Sequence, residues 1–376
     1  MIHSLSHITT IKEGATTFHV PLHRNLGKGP GGKKGVPFFN TAMELNRDLS
    51  VLFATWCTQA LKTPFSFLDG LGACGVRGLR IANEVGADVQ VVINDSDKQA
   101  YQLIQDNISF LKVTNAQACC KHLNKLLYEQ RFDCIDIDPF GSPVRFLDAA
   151  VQSVKNHGVL SVTATDVATL CGVYPKACLR RYAATPFHGP GMYEVAVRIL
   201  LGVICRIAAQ HEKAIQPLLC YKKNHYLRVY VQLHNSIQAA DKAMKQFGCV
   251  AVEDVCFSKH GFHIGPLWKG SLGVPTVIVD LQRLVDQYSF RLHKQITSLL
   301  ALLYEDVTGP AWYYTTDALS SLWKYNPPAL SWLITCLKEQ GYVATRTHFH
   351  PMGFKTNASA DVLQHLFSSY PDTKEV

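Results

Sequence analysis

A buried strand that stops at an acidic, proline-containing loop is the feature that most constrains the fold of this chain. It lies in the sequence FDCIDIDPFGSP, residues 132–143. Four apolar residues precede the acid Asp138: Phe132, Cys134, Ile135 and Ile137. Such a run, ended by proline and glycine, is typical of a strand covered on both faces of a sheet. Asp138 is therefore expected either to be paired in the interior or to project from the carboxyl edge of the sheet, where ligands bind in open α/β folds.

The loop after this strand has the groups that a planar ring with an exocyclic NH2 group needs. Asp138 offers a carboxylate oxygen, Pro139 frees a backbone carbonyl, and Phe140 offers a ring for stacking, which contributes about 1–3 kcal/mol per base. Two acceptors that take the two amine hydrogens make the nitrogen a better nucleophile. The alternative is a purely structural turn, with Ser142 as helix cap and Pro143 as the first helical residue.

A strand followed by a glycine-rich turn lies earlier in the chain, in FSFLDGLGACGVRG. The strand reaches Asp69, and Gly72 in the turn is expected to bring the backbone close to a ligand. The next strand, VQVVIND, ends in Asp95, roughly 20 residues downstream, where Rossmann-type folds place a ribose-binding acid. The dinucleotide pattern GxGxxG is missing, and DxxGxxG from Asp69 fits an adenosyl group without a pyrophosphate. Together with the Asp138 loop, this unit predicts binding of S-adenosylmethionine.

The order of predicted elements indicates a class I (Rossmann-like) methyltransferase domain over residues 1–235. Six or seven strands alternate with helices, among them helices over 143–156 and 190–210, and a hairpin ends the series. A short hairpin is expected near the amino end, with Phe18 and Val20 on one side. Arg47, alone on the polar side of a predicted helix, is expected at the surface.

Beyond residue 235 the pattern changes to a smaller α+β domain, predicted over residues 236–376. One long helix is expected over 281–305. A short helix, a turn at 326–328, an amphipathic helix and a hairpin then make a winged-helix-like unit. Basic residues cluster around that hairpin: Lys338, Arg346, His348, His350 and Lys355. They predict a nucleic-acid clamp, the alternative being a packing or dimerisation module.

Composition bounds the class of protein. The 376 residues are 47% hydrophobic and carry a formal net charge of +8, which is compatible with a polyanionic partner. Twelve cysteines without a CxxC pair indicate reduced thiols in a cytoplasmic protein. No secretory signal and no membrane-spanning run are apparent. A glycine-rich loop with Lys28, Lys33 and Lys34 is expected either to embrace a phosphate backbone or to be a solvated loop.

Long motifs follow one another along the whole chain. They are PFFNTAMELNRDLS, LGACGVRG, VVINDSD, FDCIDIDPFGSP, VTATD, LCGVYPKACLRRY, GPLWKG and RTHFHPMGFKT. In these motifs the chain resembles the tRNA (guanine-26-N2) dimethyltransferase family. The resemblance implies transfer of one or two methyl groups from S-adenosylmethionine to the exocyclic amine of the tRNA guanine between the D arm and the anticodon arm. It implies no membrane and no obligate protein partner.

The resemblance also implies which residues bind the cofactor. Arg47 of LNRD and Arg77 of GVRG resemble the cofactor-binding arginines of the family, and Asp95 resembles the acid that receives the ribose hydroxyls. Where the family has an acidic residue that contacts adenine, this chain has His122, followed by Leu123. A histidine can still hydrogen-bond an adenine edge.

For catalysis the resemblance points to the loop described first. Asp138 matches the catalytic carboxylate, and Phe140 and Phe38 match aromatic residues that can sandwich the guanine. Many relatives insert paired cysteines between the domains as a zinc ribbon, but here only Cys249 and Cys256 are present, so no structural metal is predicted.

Two other functions remain open from the residues alone. One is a methyltransferase for a different nucleic-acid or protein amine, which needs a similar acceptor and aromatic loop. The other is a tRNA-binding protein with an inactive methyltransferase domain. Offering different substrates in one methyl-transfer assay distinguishes the first function from tRNA methylation. Measurable turnover would exclude the second.

Overall fold

The computed structural model describes residues 8–21, 37–60, 64–257 and 261–370. Its strands are β1 (Ile8–Glu13), β2 (Thr16–Pro21), β3 (Phe65–Asp69), β4 (Val89–Asn94), β5 (Ala116–Cys119), β6 (Phe132–Ile137), β7 (Val154–Ala164), β8 (Lys213–Lys223), β9 (Tyr226–Asn235), β10 (Phe247–Ala251), β11 (His263–Trp268), β12 (Tyr314–Thr315), β13 (Ala344–Arg346) and β14 (Gly353–Thr356). The predicted phosphate-embracing loop with Lys28, Lys33 and Lys34 lies outside the described residues.

Single helices alternate with the strands from β3 to β7. The helices are α1 (Glu44–Ala60), α2 (Val76–Val85), α3 (Lys98–Leu111), α4 (Leu123–Glu129), α5 (Val144–Ser153), α6 (Val167–Leu170), α7 (Pro175–Tyr182), α8 (Met192–Gln210), α9 (Ile237–Met244), α10 (Glu253–Cys256), α11 (Pro275–Leu284), α12 (His293–Thr308), α13 (Thr316–Trp323), α14 (Leu330–Glu339) and α15 (Ala360–Ser369). No helix among the described residues is long and apolar enough to cross a bilayer.

A seven-stranded sheet organises the molecule, in the order β5-β4-β3-β6-β7-β9-β8. The strands from β5 to β7 are parallel, whereas β9 and β8 form the antiparallel hairpin that ends the sheet. The predicted class I architecture is confirmed. Strand order reverses between β3 and β6, so the ends of these two strands border the crevice in which α/β sheets bind ligands.

Alternating side chains of the central strands enter two hydrophobic cores, one on each face of the sheet. Cys134 of β6 joins the core that includes α1, α2, α11 and α12. Its neighbours Ile135 and Ile137 join the core that includes α4, α5 and α8. Burial of each such aliphatic side chain stabilises the fold by about 1.5–3 kcal/mol. This double coverage is why β6 is apolar almost throughout.

Two predicted helices differ from the structure. The helix expected over 143–156 ends at Ser153, because the chain enters β7 at Val154, pairs with Phe132 and shifts register before Cys134. The helix expected over 281–305 is two helices, α11 and α12. The break lets Phe290 turn inward, where its ring stacks on Tyr288 at 4.9 Å between centroids and lies under the guanidinium of Arg80.

The winged-helix-like unit is present between residues 314 and 369. Strands β12, β14 and β13 form its sheet, and α13, α14 and α15 pack on it around Phe354. This unit has its own hydrophobic core. Residues 236–308, by contrast, contribute side chains to the two cores of the large sheet, down to Leu303 of α12. The domain boundary near residue 235 stays a prediction.

The basic cluster at the wing is not a free clamp, which corrects the expectation for two of its members. Lys355 is 2% exposed and forms ion pairs with Asp306 and with Glu194. The side chain of His348 is also buried and bonds to Asp306. These contacts join the wing to α12 and α8. Arg346, at the rim, pairs with Glu305 at 2.6 Å.

Candidate active site

Three of the predicted acids come together at the carboxyl edge of the sheet. Asp69 ends β3, Asp95 follows β4, and Asp138 follows β6. Since β3 and β6 are neighbours at the reversal of strand order, Asp69 and Asp138 flank the ligand-binding crevice of the fold. The local sequence explains this placement, because each acid directly follows a strand whose apolar residues are buried in the sheet.

The glycine-rich turn between β3 and α2 lies against the sheet edge. The Gly70 N–H donates to the Asp136 carbonyl at 3.0 Å, and the Gly72 N–H donates to the Asn94 carbonyl at 2.8 Å. A Cβ at Gly72 would lie 2.7 Å from Cγ2 of Ile93. No side chain fits there without displacing Ile93, so glycine lets the turn pack closely against β4.

Asp69 lies beneath this turn. It is 3% exposed and accepts a hydrogen bond from the Gly78 N–H at 3.0 Å. Burial raises the pKa of Asp69 to about 7, with Asp136 adding to the shift and Arg77 opposing it. Asp69 therefore supports the turn from the interior.

Asp95 is held by backbone groups on both sides. The Ala73 N–H donates to its Oδ2 and the Asp97 N–H donates to its Oδ1, each at 2.9 Å. The first bond ties the end of β4 to the glycine-rich turn. The carboxylate is thus fixed at the sheet edge and stays partly open to solvent.

His122 and Leu123 lie at the start of α4, beyond the end of β5. His122 is exposed at the N-cap position and its side chain makes no capping hydrogen bond. Leu123 is buried, and its Cδ1 lies 3.0 Å from where a Cβ at Gly70 would be. Leu123 therefore closes the apolar side of the turn, whereas the His122 ring is free to face a ligand at the rim.

Asp138 forms an ion pair with Arg77, whose Nη2 donates to Oδ2 of the carboxylate. The other oxygen, Oδ1, has no hydrogen-bond partner among the described residues, and neither has the carbonyl of Pro139. Asp138 keeps 17% of its side-chain surface exposed. Neither predicted acceptor is thus engaged by the described residues; the Asp138 carboxylate is partly exposed, and Pro139 is a buried residue beside it.

Arg77 is itself fixed by a buried network that the sequence did not reveal. Its Nη1 donates to Asn46 Oδ1 at 2.6 Å and to Ser50 Oγ at 2.5 Å, both on α1. Its Nε lies 3.4 Å from Asp136 Oδ1. Asp136 is fully buried and also pairs with Arg228 of β9. The guanidinium of Arg77 therefore connects α1, β6 and the catalytic loop.

Burial and ion pairing act in opposite directions on these arginines. Burial lowers the pKa of Arg77, but Asp136 and Asp138 raise it by more. Burial likewise lowers the pKa of Arg228, and Asp136 outweighs that effect. Both guanidinium groups stay charged, so the crevice retains fixed positive charge beside Asp138.

Phe140 and Phe38 meet at the mouth of the crevice. Phe140 is 56% exposed, an unusual state for a large apolar side chain. The two ring centroids lie 4.8 Å apart with an interplanar angle of 82°. This is an edge-to-face contact, so a base could enter between the rings only after one of them rotates or moves.

The loop with Phe140 is held by the segment after β7. The Gly141 N–H donates to Thr165 Oγ1 at 2.6 Å, and the Thr165 N–H donates back to the Gly141 carbonyl at 3.1 Å. Next to it, the Tyr182 hydroxyl donates to Asp166 Oδ1 at 2.6 Å. The motif VTATD thereby fixes the catalytic loop to α7.

Arg47 is not at the surface, contrary to expectation. It is 6% exposed, and its Nε and Nη2 donate to the two carboxylate oxygens of Glu13, each at 2.6 Å. Nη1 and Nη2 also reach the Asn40 carbonyl at 3.1 Å. Arg47 therefore ties the amino-terminal hairpin to α1, and its part in cofactor binding stays a prediction.

Possible metal ligands do not assemble in the described parts of the chain. No group of three or more His, Cys, Asp or Glu side chains is placed to hold a metal ion. Cys249 is exposed on β10, whereas Cys256 is buried at the end of α10. The absence of a structural metal stays a prediction.

Known sequences of one family match this chain over nearly its whole length. The family model for N2,N2-dimethylguanosine tRNA methyltransferase matches residues 31–368. A curated tRNA (guanine(26)-N(2))-dimethyltransferase of Pyrococcus furiosus is 38% identical over 379 residues, covering 94% of this chain and 96% of the relative. One of Methanocorpusculum labreanum is 37% identical over 373 residues, covering 94% and 95%.

Comparison with solved structures agrees with the sequence match. The structure of Trm1 from Pyrococcus horikoshii in complex with S-adenosyl-L-methionine superposes with a TM-score of 0.83 at 32% identity. The match covers 95% of this chain and 99% of that one. The similarity therefore includes both the seven-stranded sheet and the winged-helix-like unit.

Proposed function

Because the chain belongs to the N2,N2-dimethylguanosine tRNA methyltransferase family, we propose that it methylates the exocyclic N2 amine of guanine 26 in tRNA. S-adenosyl-L-methionine is the methyl donor, and the products are N2-methylguanine, N2,N2-dimethylguanine or both. We also propose a cytoplasmic location, which the tRNA substrate and the cysteines without a CxxC pair support. This localisation is part of the proposal.

One observation carries the proposal: two unengaged acceptors stand side by side at the ligand-binding edge of the sheet, next to exposed aromatic rings. They are Oδ1 of Asp138 and the Pro139 carbonyl, and the rings are Phe140 and Phe38. An aromatic amine has two N–H donors and a planar ring face. The loop is complementary to both features.

The residues of the crevice fit the adenosyl cofactor. The missing Cβ at Gly72 lets the turn pack closely against β4 at the sheet edge, and backbone N–H groups on two sides fix the Asp95 carboxylate at that edge. We assign Asp69, Gly72 and Asp95 to the adenosine side, with His122 and Leu123 at the adenine rim. Arg77 and Arg47 are the candidates for the methionine carboxylate. When bound, the cofactor supplies an activated methyl group on sulfur.

The protein then contributes alignment and charge. Asp138 and the Pro139 carbonyl accept the two N–H bonds of the guanine amine, which turns the nitrogen lone pair out of conjugation with the ring. As the new N–C bond forms, the bond between the methyl carbon and the donor sulfur would break and leave a neutral thioether. Positive charge builds on N2, and the negative charge of Asp138 stabilises it. Asp138 can afterwards take the surplus proton as a base.

The target guanine is stacked in folded tRNA, so access requires its extrusion at a cost of a few kcal/mol. Stacking on Phe140 and Phe38 offsets that cost by about 1–3 kcal/mol per base. In the free enzyme the edge-to-face contact of the two rings fills the space that the guanine would occupy between them. We infer that the arriving base separates them.

Methyl transfer from labelled cofactor to three tRNA transcripts tests the proposed function. The transcripts carry guanine, adenine or inosine at position 26, and inosine differs from guanosine only by lacking the N2 amine. Label is expected on the guanine transcript alone. Equal labelling of the inosine transcript would contradict N2 as the target, and no labelling of any transcript would favour a different substrate or a protein that only binds tRNA.

A further inference from the structure

Helix α7 lies beside the catalytic loop and is joined to it by hydrogen bonds. The Tyr182 hydroxyl at its end donates to Asp166 at 2.6 Å, and Thr165 next to Asp166 exchanges two hydrogen bonds with Gly141. These hydrogen bonds link the C-terminal end of α7 to Gly141, the residue after Phe140. Whatever binds with its reactive base at Phe140 therefore passes close to α7.

The outward side of α7 has an unusual composition. Cys178 and Tyr182, four residues apart, are buried and anchor the helix. The exposed residues form what is here named the α7 surface: Tyr174, Lys176, Leu179, Arg180 and Arg181. Tyr174 is 60% exposed and Leu179 is 59% exposed. Aromatic and apolar groups interleaved with cations are the side chains that bind both bases and phosphates.

The fold does not explain the cations of this surface. Arg180 and Arg181 lie in the last turn, where a positive charge favours the helix dipole, but Lys176 lies in the first turn, where it opposes the dipole. Arg181 pairs with Asp166 at 3.0 Å. Among the described residues, Lys176 and Arg180 have no acidic partner. Two uncompensated positive charges therefore lie on the helix whose last residue, Tyr182, is linked to the segment that holds the Phe140 loop.

The wing, by contrast, has used most of its cations internally. Lys355 and His348 are buried against Asp306, and Arg346 pairs with Glu305. Phosphate binding at the wing would first have to break these ion pairs. Uncompensated charge beside the reactive loop is thus found at α7, where the sequence had not placed the RNA contact.

We propose that the α7 surface binds the tRNA backbone that flanks the target guanine, an inference that rests on the proposed function. Lys176 and Arg180 contact phosphates, and Tyr174 stacks on a base exposed when the guanine leaves its stack. The surface holds the substrate in register with Asp138 and takes no part in the chemical step.

The test compares two double charge reversals. Lys176→Glu with Arg180→Glu changes the α7 surface. Lys242→Glu with Lys245→Glu is the matched control, because both lysines are exposed on or just after α9, which follows the opposite end of β9 from the active site. Binding of the guanine-26 transcript is measured by filter retention at several salt concentrations, together with methyl-transfer kinetics and cofactor affinity.

The α7 variant is expected to bind the transcript at least tenfold more weakly, and the slope of log K against log salt should fall by about 2 in magnitude. The KM for tRNA rises, whereas kcat and cofactor affinity stay within about twofold. The control should match the wild type. Tyr174→Ala, without any charge change, should raise KM about fivefold or more.

The proposal would be overturned if the α7 variant bound the transcript with the same affinity and the same salt slope as the control variant. The α7 surface would then be assigned to binding a protein partner. Loss of cofactor affinity in the α7 variant would also overturn it, since the cations would then support the fold. The binding assay needs no turnover. An inactive wild type would therefore contradict the proposed function while the α7 surface was still tested on its own.

Discussion

Arg77 holds Asp138 by donating Nη2 to Oδ2, and thereby leaves Oδ1 of the carboxylate open. The arginine lies on α2 and the aspartate on the loop after β6, yet both belong to one charged network that continues through Asp136 to Arg228. The direction of the Asp138 carboxylate, which we propose to be catalytic, is therefore set by the sheet beneath it.

Replacement of Arg77 by lysine is expected to reduce kcat about a hundredfold. Lysine keeps the charge but lacks the planar fork that reaches Asn46, Ser50 and Asp138 together, and small displacements of a catalytic group cost rate steeply. Initial rates at saturating tRNA measure the effect. Arg283→Lys, at a side chain that is 77% exposed, is the control and should be silent. A variant with wild-type kcat would show that Asp138 needs no such support.

Phe140→Ala should lower kcat/KM by about ten- to a hundredfold, because it removes a stacking contact of about 1–3 kcal/mol. Since Phe140 is 56% exposed, the free energy of unfolding should change by less than about 0.5 kcal/mol. Steady-state kinetics and urea unfolding check both statements. Tyr128→Ala, at an equally exposed aromatic residue of α4, is the control. Equal kinetics of the two variants would contradict a role for Phe140 in holding the base.

Asp306 is expected to be essential for attachment of the wing. Burial raises the pKa of Asp306, but Lys355 and His348 lower it by more, so the folded value is below the unfolded one. The Lys222 N–H donates to Nε2 of His348, so Nδ1 carries the proton that bonds to Asp306. Asp306→Ala would leave buried Lys355 with only the longer ion pair to Glu194, at 3.4 Å, and should destabilise the protein by about 3–5 kcal/mol in urea unfolding.

The contacts of Asp306 with Lys355 and His348 also make the stability of the protein depend on pH, with a definite sign. Because the folded pKa of Asp306 is depressed, its contribution to stability is present above the unfolded value of about 3.9 and is lost as the pH falls below it. This contribution of Asp306 to the loss of stability in acid should be missing in Asp306→Ala. Asp286→Ala, at an exposed carboxylate, should retain it. An equal acid response of the two variants would contradict the assignment.

For Asp69 the change of stability with pH should have the opposite sign between about pH 4 and 7. Burial raises its folded pKa to about 7, so the folded protein keeps a proton that the unfolded chain has lost. Its contribution to stability therefore decreases as the pH rises through this window. Asp69→Asn can still accept the Gly78 hydrogen bond. It should reduce the difference in bound protons between the folded and the unfolded protein by up to about one, and so flatten the dependence of stability on pH. Urea unfolding at pH 5, 6 and 7 measures the difference, and parallel curves for the two proteins would refute it.

Local patterns predicted the sheet and the position of the Asp138 loop at its carboxyl edge. The apolar run before Asp138 is what a strand in the middle of a doubly covered sheet requires, and the glycine-rich turn after Asp69 is what close packing against Ile93 requires. Both features are written in consecutive residues. The same holds for the winged unit, whose helices and hairpin have their own turns and core.

Partners distant in sequence could not be predicted in this way. Arg47 was expected at the surface because its partner, Glu13, lies 34 residues away in a hairpin whose packing depends on the whole fold. Lys355 was assigned to nucleic acid because its partners, Asp306 and Glu194, lie in α12 and α8. A charge in a sequence indicates the possible chemistry, and only the fold shows whether another charge has already neutralised it.

The most direct test of the account is a single-turnover measurement of methyl transfer by Asp138→Asn. Asparagine keeps the shape of the side chain but removes the negative charge that stabilises the developing positive charge on N2. With cofactor and tRNA both saturating, the rate should fall by about two to four orders of magnitude, while cofactor affinity stays within about threefold. A rate within threefold of the wild type would contradict the assignment of Asp138 as the catalytic carboxylate.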